Sequence, residues 1–285
     1  MIVNQTSPAS QHHPAIACDA AGGFAVVWES RGQDGDGGAI VARRYDGSGA
    51  AAAEQQLNST AAGDQRLPAI AALPGGGFIV AWESEGQDGD ESGIVARRLD
   101  HDLAPLGGEL QVNSAAIYSQ EQPAVAVSGD DVVIAWSSPG DGDGYGVFAR
   151  RFDTAGQPRG AEALVNVAAA GTQGAVSDEG GGLTAAGNGS GALLVAWQSL
   201  RLKGAAPDGD GMGVFARAEL PASCAGDCDG DGAVAIDELI RGVGLALGDG
   251  SAAECTALDA DGDDRVVIAE LIAAVAAALN GCDNG

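Results

Sequence analysis

The chain has 285 residues and carries 40 Asp+Glu against 14 Lys+Arg, a net charge of −26 with a pI near 4.1. That field repels phosphate backbones and anionic lipid, which excludes nucleic acid and acidic membranes as partners and makes divalent cations the natural ligands of so much carboxylate. Forty-six Gly and ten Pro beside 4% aromatics favour short strands and tight turns over long helices, and no apolar run reaches the about 18 residues of a membrane span.

The chain opens MIVNQTSPAS, without a basic start or apolar stretch, so no export signal is read there. A repeat then dominates. Trp28, Trp82, Trp136 and Trp197 recur at steps of 54, 54 and 61 residues, inside FAVVWES, FIVAWES, VVIAWSS and LLVAWQS. Each is followed by a second strand-like word, IVARRYD, IVARRLD, VFARRFD or VFARAEL. A Val/Leu-Asn pair stands at Val3-Asn4, Leu57-Asn58, Val112-Asn113 and Val165-Asn166, and Gln-x-x-Pro at Gln11/Pro14, Gln65/Pro68 and Gln120/Pro123; the fourth copy keeps Gln173 but not the proline.

Each repeat predicts four short strands, and the near-continuous apolar runs predict sheets packed on both faces. The expectation is an all-β four-bladed propeller over residues 1–221, built of repeats of about 54 residues, with the first strand closing the last blade; a stacked solenoid is the competitor, and a larger ring from two chains is compatible with the same phase. The tryptophans read as inter-blade core. The arginine pairs Arg43/Arg44, Arg97/Arg98 and Arg150/Arg151, with Arg217 alone in the last copy, read as structural partners.

Between the second and third strands every copy carries Asp-Gly-Asp, at Asp34/Asp36, Asp88/Asp90, Asp141/Asp143 and Asp208/Asp210. Asp-Gly is favoured hairpin chemistry where φ > 0 is needed. The alternative is additional metal sites, since two carboxylates and the carbonyls between them supply part of a calcium shell.

After Pro221 the composition changes to acidic clusters followed by apolar stretches, which predicts a second, small α-helical domain over 222–285. Residues 227–238 read DCDGDGAVAIDE and fit the twelve-residue calcium loop, with Asp227, Asp229, Asp231, the Ala233 carbonyl and Glu238 as ligands. Residues 259–270, DADGDDRVVIAE, repeat the pattern with Asp259, Asp261, Asp263, the Arg265 carbonyl and Glu270. Asp264 replaces the usual glycine at the sixth position, so weaker filling is expected there. Two Ca2+ sites are therefore expected in this domain, with Val234 and Val266 bridging the loops. A helix follows each loop, and the stripes Ile236, Leu239, Ile240, Val243, Leu247 and Ile268, Leu271, Ile272, Val275, Leu279 are expected to face each other. Cys224, Cys228, Cys255 and Cys282 read as two disulfides of an oxidising compartment; spacing leaves their connectivity open, with Cys228–Cys255 and Cys224–Cys282 the working choice. Cys18 is the odd one.

Two loop-plus-helix calcium units in about 60 residues resemble the dockerins, over roughly residues 223–282. The resemblance implies a paired EF-hand fold, calcium-dependent folding and docking to a cohesin-like domain.

No nucleophile motif, phosphate loop or Ser-x-Asp-x-Gly-x-x-Trp word accompanies His12, His13 and His101. The expectation is therefore no enzyme: a secreted or cell-surface calcium-binding interaction protein, with a propeller binding face and a docking tail, whose partner is a protein or a surface polysaccharide. The alternative is a carbohydrate-binding or polysaccharide-degrading component, a glycoside hydrolase among them, attached through a dockerin-type tail.

Overall fold

The computed structural model describes residues 2–6, 9–114, 117–141, 144–160, 162–166, 172–174, 182–188, 192–200, 212–219, 226, 228, 234–250, 255, 258 and 265–280. The chain divides into two compact units, Met1–Glu219 and Leu220–Gly285.

The first unit is all-β, with one antiparallel sheet per repeat. Sheet 1 holds β1 (Gln11–Cys18), β2 (Phe24–Arg31), β3 (Gly38–Tyr45) and β4 (Ala51–Gln56) in that order. Sheet 2 repeats it with β5 (Gln65–Ala72), β6 (Phe78–Glu85), β7 (Ser92–Leu99) and β8 (Leu110–Gln111), and sheet 3 with β9 (Glu121–Ser128), β10 (Asp131–Pro139), β11 (Tyr145–Asp153) and β12 (Ala163–Leu164). In sheet 4, β13 (Thr172–Gln173) and β14 (Leu183–Gly187) both pair with β15 (Leu193–Leu200), which pairs on its other side with β16 (Met212–Glu219). Sheet 4 thus has an inner, a middle and a third row, and no fourth row among the described residues.

The apolar strand words bury both faces, as expected for sheets stacked side by side. Ala25, Val27 and Ile40 of sheet 1 pack on Phe78, Val80 and Trp82 of sheet 2; Ile79, Ala81 and Ile94 of sheet 2 pack on Val132, Ile134 and Trp136 of sheet 3; Val133, Ala135 and Val147 of sheet 3 pack on Leu193, Val195 and Trp197 of sheet 4. The tryptophans are core, with Trp82 at 0% and Trp136 at 1% exposure.

A polar latch repeats beside this core. The Oδ1 of Asn58, Asn113 and Asn166 accepts the third-strand N–H of Ile40, Ile94 and Val147 at 2.9, 2.8 and 2.7 Å. The Nδ2 of each donates to the first carboxylate of the Asp-Gly-Asp turn, Asp34, Asp88 or Asp141, at 2.8, 2.8 and 3.1 Å. Gly35 and Gly89, within those turns, take φ of 101° and 105°, which glycine adopts without a Cβ penalty. The first arginine of each pair, and the single Arg217, donates to the preceding Val/Leu carbonyl: Arg43 to Val3, Arg97 to Leu57, Arg150 to Val112 and Arg217 to Val165, at 2.7, 2.6, 3.0 and 2.9 Å. The arginines are thus inter-sheet staples.

The second unit holds α1 (Ile236–Leu247) and α2 (Ile268–Asn280), and Cys228 is disulfide-bonded to Cys255; Cys224 and Cys282 lie outside the described residues. The expected face-to-face stripes are corrected here. Ile236, Ile240, Val243 and Leu247 are 77, 67, 49 and 77% exposed, and Ile268, Ile272, Val275 and Leu279 are 74, 64, 44 and 79% exposed. Only Leu239 and Leu271 of those stripes turn inward, joining Leu245, Leu258, Val266 and Ala274 around the disulfide. Small residues explain the rotation: a Cβ at Gly242 would meet Leu271 Cδ2 at 2.8 Å, so glycine lets this side of α1 come close. The expected Val234–Val266 bridge is not among the isolated bridges of the described residues. Among the described residues no helix is long and apolar enough to cross a membrane.

Candidate functional site

The inner strands β1, β5, β9 and β14 stand around one cavity of about 470 Å³, lined among others by His13, Leu67, Gln122 and Leu183. A proline in an inner strand cannot donate to the ladder, so the strand bulges at each Gln-x-x-Pro word. Pairing shifts register between His12 and Ala15, and between Arg66 and Ala69, and β9 shifts against β10 at the same word. The residue before each proline takes a left-handed conformation, with φ of 49° at His13, 50° at Leu67 and 54° at Gln122. Each costs on the order of 1–2 kcal/mol for a residue with a Cβ. Three such residues line one cavity, and stored strain of this kind clusters at functional sites.

Behind this rim lie charged groups that interrupt an apolar strand. Glu29 and Glu83, directly after Trp28 and Trp82, are each 1% exposed. Glu83 Oε2 accepts Arg66 Nε at 2.6 Å and Oε1 accepts the backbone N–H of Gln122 at 2.7 Å, tying sheet 2 to sheet 3. Burial pushes the Glu83 carboxyl above the ordinary carboxylate range, against the pull of Arg66, and nearby Glu121 adds to the rise. Burial also opposes the Arg66 charge, but Glu83 outweighs it and holds the guanidinium above its usual value. Glu29 Oε2 lies 3.1 Å from His13 Nδ1, and Arg31 Nε stands 3.1 Å from Oε1, outside hydrogen-bond geometry.

Tyr145, opening β11, donates its hydroxyl to Glu121 Oε1 at 3.3 Å. Burial, then the charge of Glu121 and its acceptor role, push the phenol up to about 12, with Glu91 and Glu83 contributing. Three carboxyls, Glu83, Glu91 and Glu121, therefore share one electrostatic neighbourhood beside the Gln122 segment of the cavity rim.

Among the expected metal ligands of the turns, Asp34, Asp88 and Asp141 serve the asparagine latches. Asp36 Oδ2 accepts Gly63 N–H at 3.3 Å and Asp90 Oδ2 accepts Tyr118 N–H at 3.0 Å, both in the following repeat. Asp143, Asp208 and Asp210 lie outside the described residues, as do Asp227, Asp229, Asp231, Ala233, Asp259, Asp261 and Asp263. Of the tail ligands, Glu238 and Glu270 are buried and Arg265 is exposed. Glu238 accepts the N–H of Cys228 at 2.6 Å on Oε1 and of Ala235 at 2.8 Å on Oε2, and Glu270 Oε2 accepts Val267 N–H at 2.8 Å.

The carboxyls and Arg66 behind the cavity rim belong to no short motif. Their available signal was a charged residue inside an apolar strand word, and a Gln-x-x-Pro word whose middle residues change from copy to copy.

No family model matches the chain, and no curated protein matches it. Solved structures do. An α-L-arabinofuranosidase of Fusarium graminearum, in complex with arabinobiose, aligns at TM-score 0.51 and 11% identity over 73% of this chain and 62% of that one. An α-L-arabinanase of Penicillium chrysogenum complexed with arabinobiose aligns at TM-score 0.50 and 13% identity, also over 73% and 62%. The chain thus spans 62% of the length of both, and at this identity the shared feature is the propeller-like β fold.

These likenesses overturn the expectation of a calcium-binding interaction protein that is no enzyme, because proteins carrying this fold and named as glycan-cleaving enzymes are what it resembles. The physical reason for the miss is that a site around a shared axis takes one or two residues from each inner strand, so no contiguous word announces it.

Proposed function

We propose that the four-sheet unit is a carbohydrate-degrading module whose site is the cavity between the inner strands, acting on arabinose-containing polysaccharide. The observation that carries the reading is the cavity rim, where three strained residues converge and Gln122 joins buried Glu83 and adjoins Glu121, in a fold shared with two proteins solved with arabinobiose. Glycoside cleavage needs one carboxyl to give a proton and a second to act as base or nucleophile. Glu83 is buried and held by Arg66 and Gln122, which makes it a positioning group. Glu121, which accepts the Tyr145 hydroxyl, and Glu91, which accepts the Ser119 hydroxyl at 2.7 Å, are the pair assigned to the sugar. The test is release of reducing sugar from linear arabinan, with binding of arabino-oligosaccharides measured by calorimetry. Glu121→Gln is expected to lose at least about 100-fold in turnover with its thermal unfolding unchanged; full activity in that variant, or neither binding nor release in the parent chain, refutes the assignment.

The second unit is, in this reading, a dockerin-like paired EF-hand tail of an exported protein, holding one Ca2+ in each of the loops 227–238 and 259–270. Supporting it, Glu238 and Glu270, at the last loop position, are buried, and Glu238 faces the loop backbone at Cys228. Bound calcium would neutralise the loop carboxylates and so stabilise the folded tail. Calorimetric titration of the chelator-stripped chain is expected to give two sites, one of them lost in Glu238→Ala.

A further inference from the structure

The two buried carboxylates behind the cavity rim, Glu29 and Glu83, are met from different places. Repeat for repeat, His12, Arg66 and Glu121 hold one position of the Gln-x-x-Pro word, and His13, Leu67 and Gln122 hold the next. Glu83 is met by Arg66, from the first of these positions, which does not line the cavity. Glu29 is met from the second, which does: His13 Nδ1 lies 3.1 Å from Glu29 Oε2, while Arg31 Nε stands 3.1 Å from Oε1. Sheet 1 thus brings a polar ring to the cavity wall where sheet 2 presents Leu67.

The contact with Glu29 sets which ring nitrogen is available. A carboxylate only accepts, so Nδ1 carries the hydrogen and the neutral ring keeps its lone pair on Nε2. The Glu29 side chain is 2% exposed and that of His13 31%, so the carboxylate sits behind the ring and the remaining ring edge is the open one. The backbone supports this placement. His13 takes φ of 49°, in the left-handed region where histidine is enriched several-fold among residues with a Cβ. Among the described residues the rest of the lining is mostly apolar, Leu67, Ile70 and Leu183 included, with Gln122 and Thr184 as the other polar side chains.

We infer that His13 is a sugar-binding residue of this cavity, its Nε2 accepting one hydroxyl of an uncharged sugar, and that Glu29 is its positioning residue. An apolar wall with a few placed polar groups suits a ligand that has C–H faces and hydroxyl edges. An anionic sugar is disfavoured, because the chain carries −26 and a positive charge on His13 would be balanced by Glu29 directly behind it. Nε2 holds the sugar alike in the ground and transition states, so its loss raises KM and leaves kcat. This inference rests on the carbohydrate reading of the same cavity and adds a contact that holds the sugar.

His13→Asn tests it in the full chain. Asparagine tolerates a left-handed φ and its amide can still donate to Glu29, so the buried carboxylate keeps a partner while Nε2 is gone. Calorimetry with arabino-oligosaccharides is expected to show affinity at least about tenfold weaker than in the parent chain, and on linear arabinan KM should rise by a similar factor with kcat within about twofold and thermal unfolding unchanged. In the parent chain, long-range proton–nitrogen NMR should find neutral His13 as the Nδ1–H tautomer, with the Nε2 signal moving on saturation by the same oligosaccharides. Equal affinity in His13→Asn, a loss confined to kcat, an Nε2–H tautomer, or an Nε2 signal indifferent to bound sugar overturns the inference and leaves the carbohydrate reading standing. A parent chain that binds no arabino-oligosaccharide overturns both. If His13→Asn does not fold, the two NMR observations on the parent chain decide.

Discussion

Removing one asparagine latch measures what holds the sheets in register. Asn58 is 4% exposed; its Oδ1 accepts Ile40 N–H at 2.9 Å, and its Nδ2 donates to Asp34 at 2.8 Å and to Gln65 Oε1 and Thr60 O at 2.9 Å each. Asn58→Ala leaves the buried Ile40 N–H without its acceptor, costing about 1–3 kcal/mol, and removes a charge-assisted bond of about 1.5 kcal/mol or more. A loss of about 4 kcal/mol follows, which for a denaturant dependence near 3 kcal/mol/M moves the urea midpoint down by about 1.3 M. Asn58→Asp separates the two halves of the latch: Oδ1 still accepts Ile40 N–H, but an oxygen replaces the donor facing Asp34. Two carboxylates then share the site, one is held protonated as the pH falls, and the loss shrinks on acidification. Urea unfolding of both variants from about pH 4 to pH 7 decides the matter. An Asn58→Ala midpoint within about 0.3 M of the parent chain, or an Asn58→Asp deficit that does not depend on pH, refutes the latch as a structural element.

Other expectations follow from the same contacts. The phenol of Tyr145 should titrate at about 12 by ultraviolet absorbance, and Glu121→Gln, which removes a neighbouring negative charge, should bring it down. Glu83 carries a folded-state pKa above the model-compound 4.5, so its contribution to stability is present below that value and is lost as pH rises through the folded pKa. The stability of the parent chain relative to Glu83→Gln should accordingly fall with rising pH across that window in urea unfolding; a rise instead would show that the Arg66 pairing, and not burial, governs the group. Cys228→Ser opens a crosslink of sequence separation 27, worth at most about 3.5 kcal/mol by chain entropy, and calorimetry should show the tail transition shifted while that of the four-sheet unit stays put.

The fold was largely legible because the repeat restates it. The words around the four tryptophans mark the middle strands, the ARR words mark the third strands, and the Asp-Gly turns mark the hairpins between them; each appears where side-chain alternation and turn chemistry require. The helix stripes misled because periodicity counts apolar residues and takes no account of how closely two backbones approach. Gly242 and Ala274 let α1 and α2 approach on the side that carries Leu239, Leu245 and Leu271, while the isoleucines of the counted stripe stay in solvent.

The candidate site was least legible, and the repeat is again the reason. Positions that every copy shares are those the fold needs, such as the tryptophan, the asparagine latch and the arginine staple. Chemistry belongs where copies diverge at equivalent places around the axis: Glu29, Glu83, Ser137 and Gln198 after the tryptophan, and His12, Arg66 and Glu121 within the Gln-x-x-Pro word. A carboxylate inside an apolar strand is costly unless something pairs with it. Arg66 and the Gln122 N–H meet that cost at Glu83, and at Ser137, where no charge is buried, the hydroxyl simply donates to Gln173 O at 2.8 Å. Among the described residues, the junction of sheets 2 and 3 buries a charged pair next to a strained rim residue with two further carboxyls nearby, which is why Glu121 and Glu91, and not the more numerous turn aspartates, are the side chains to substitute first.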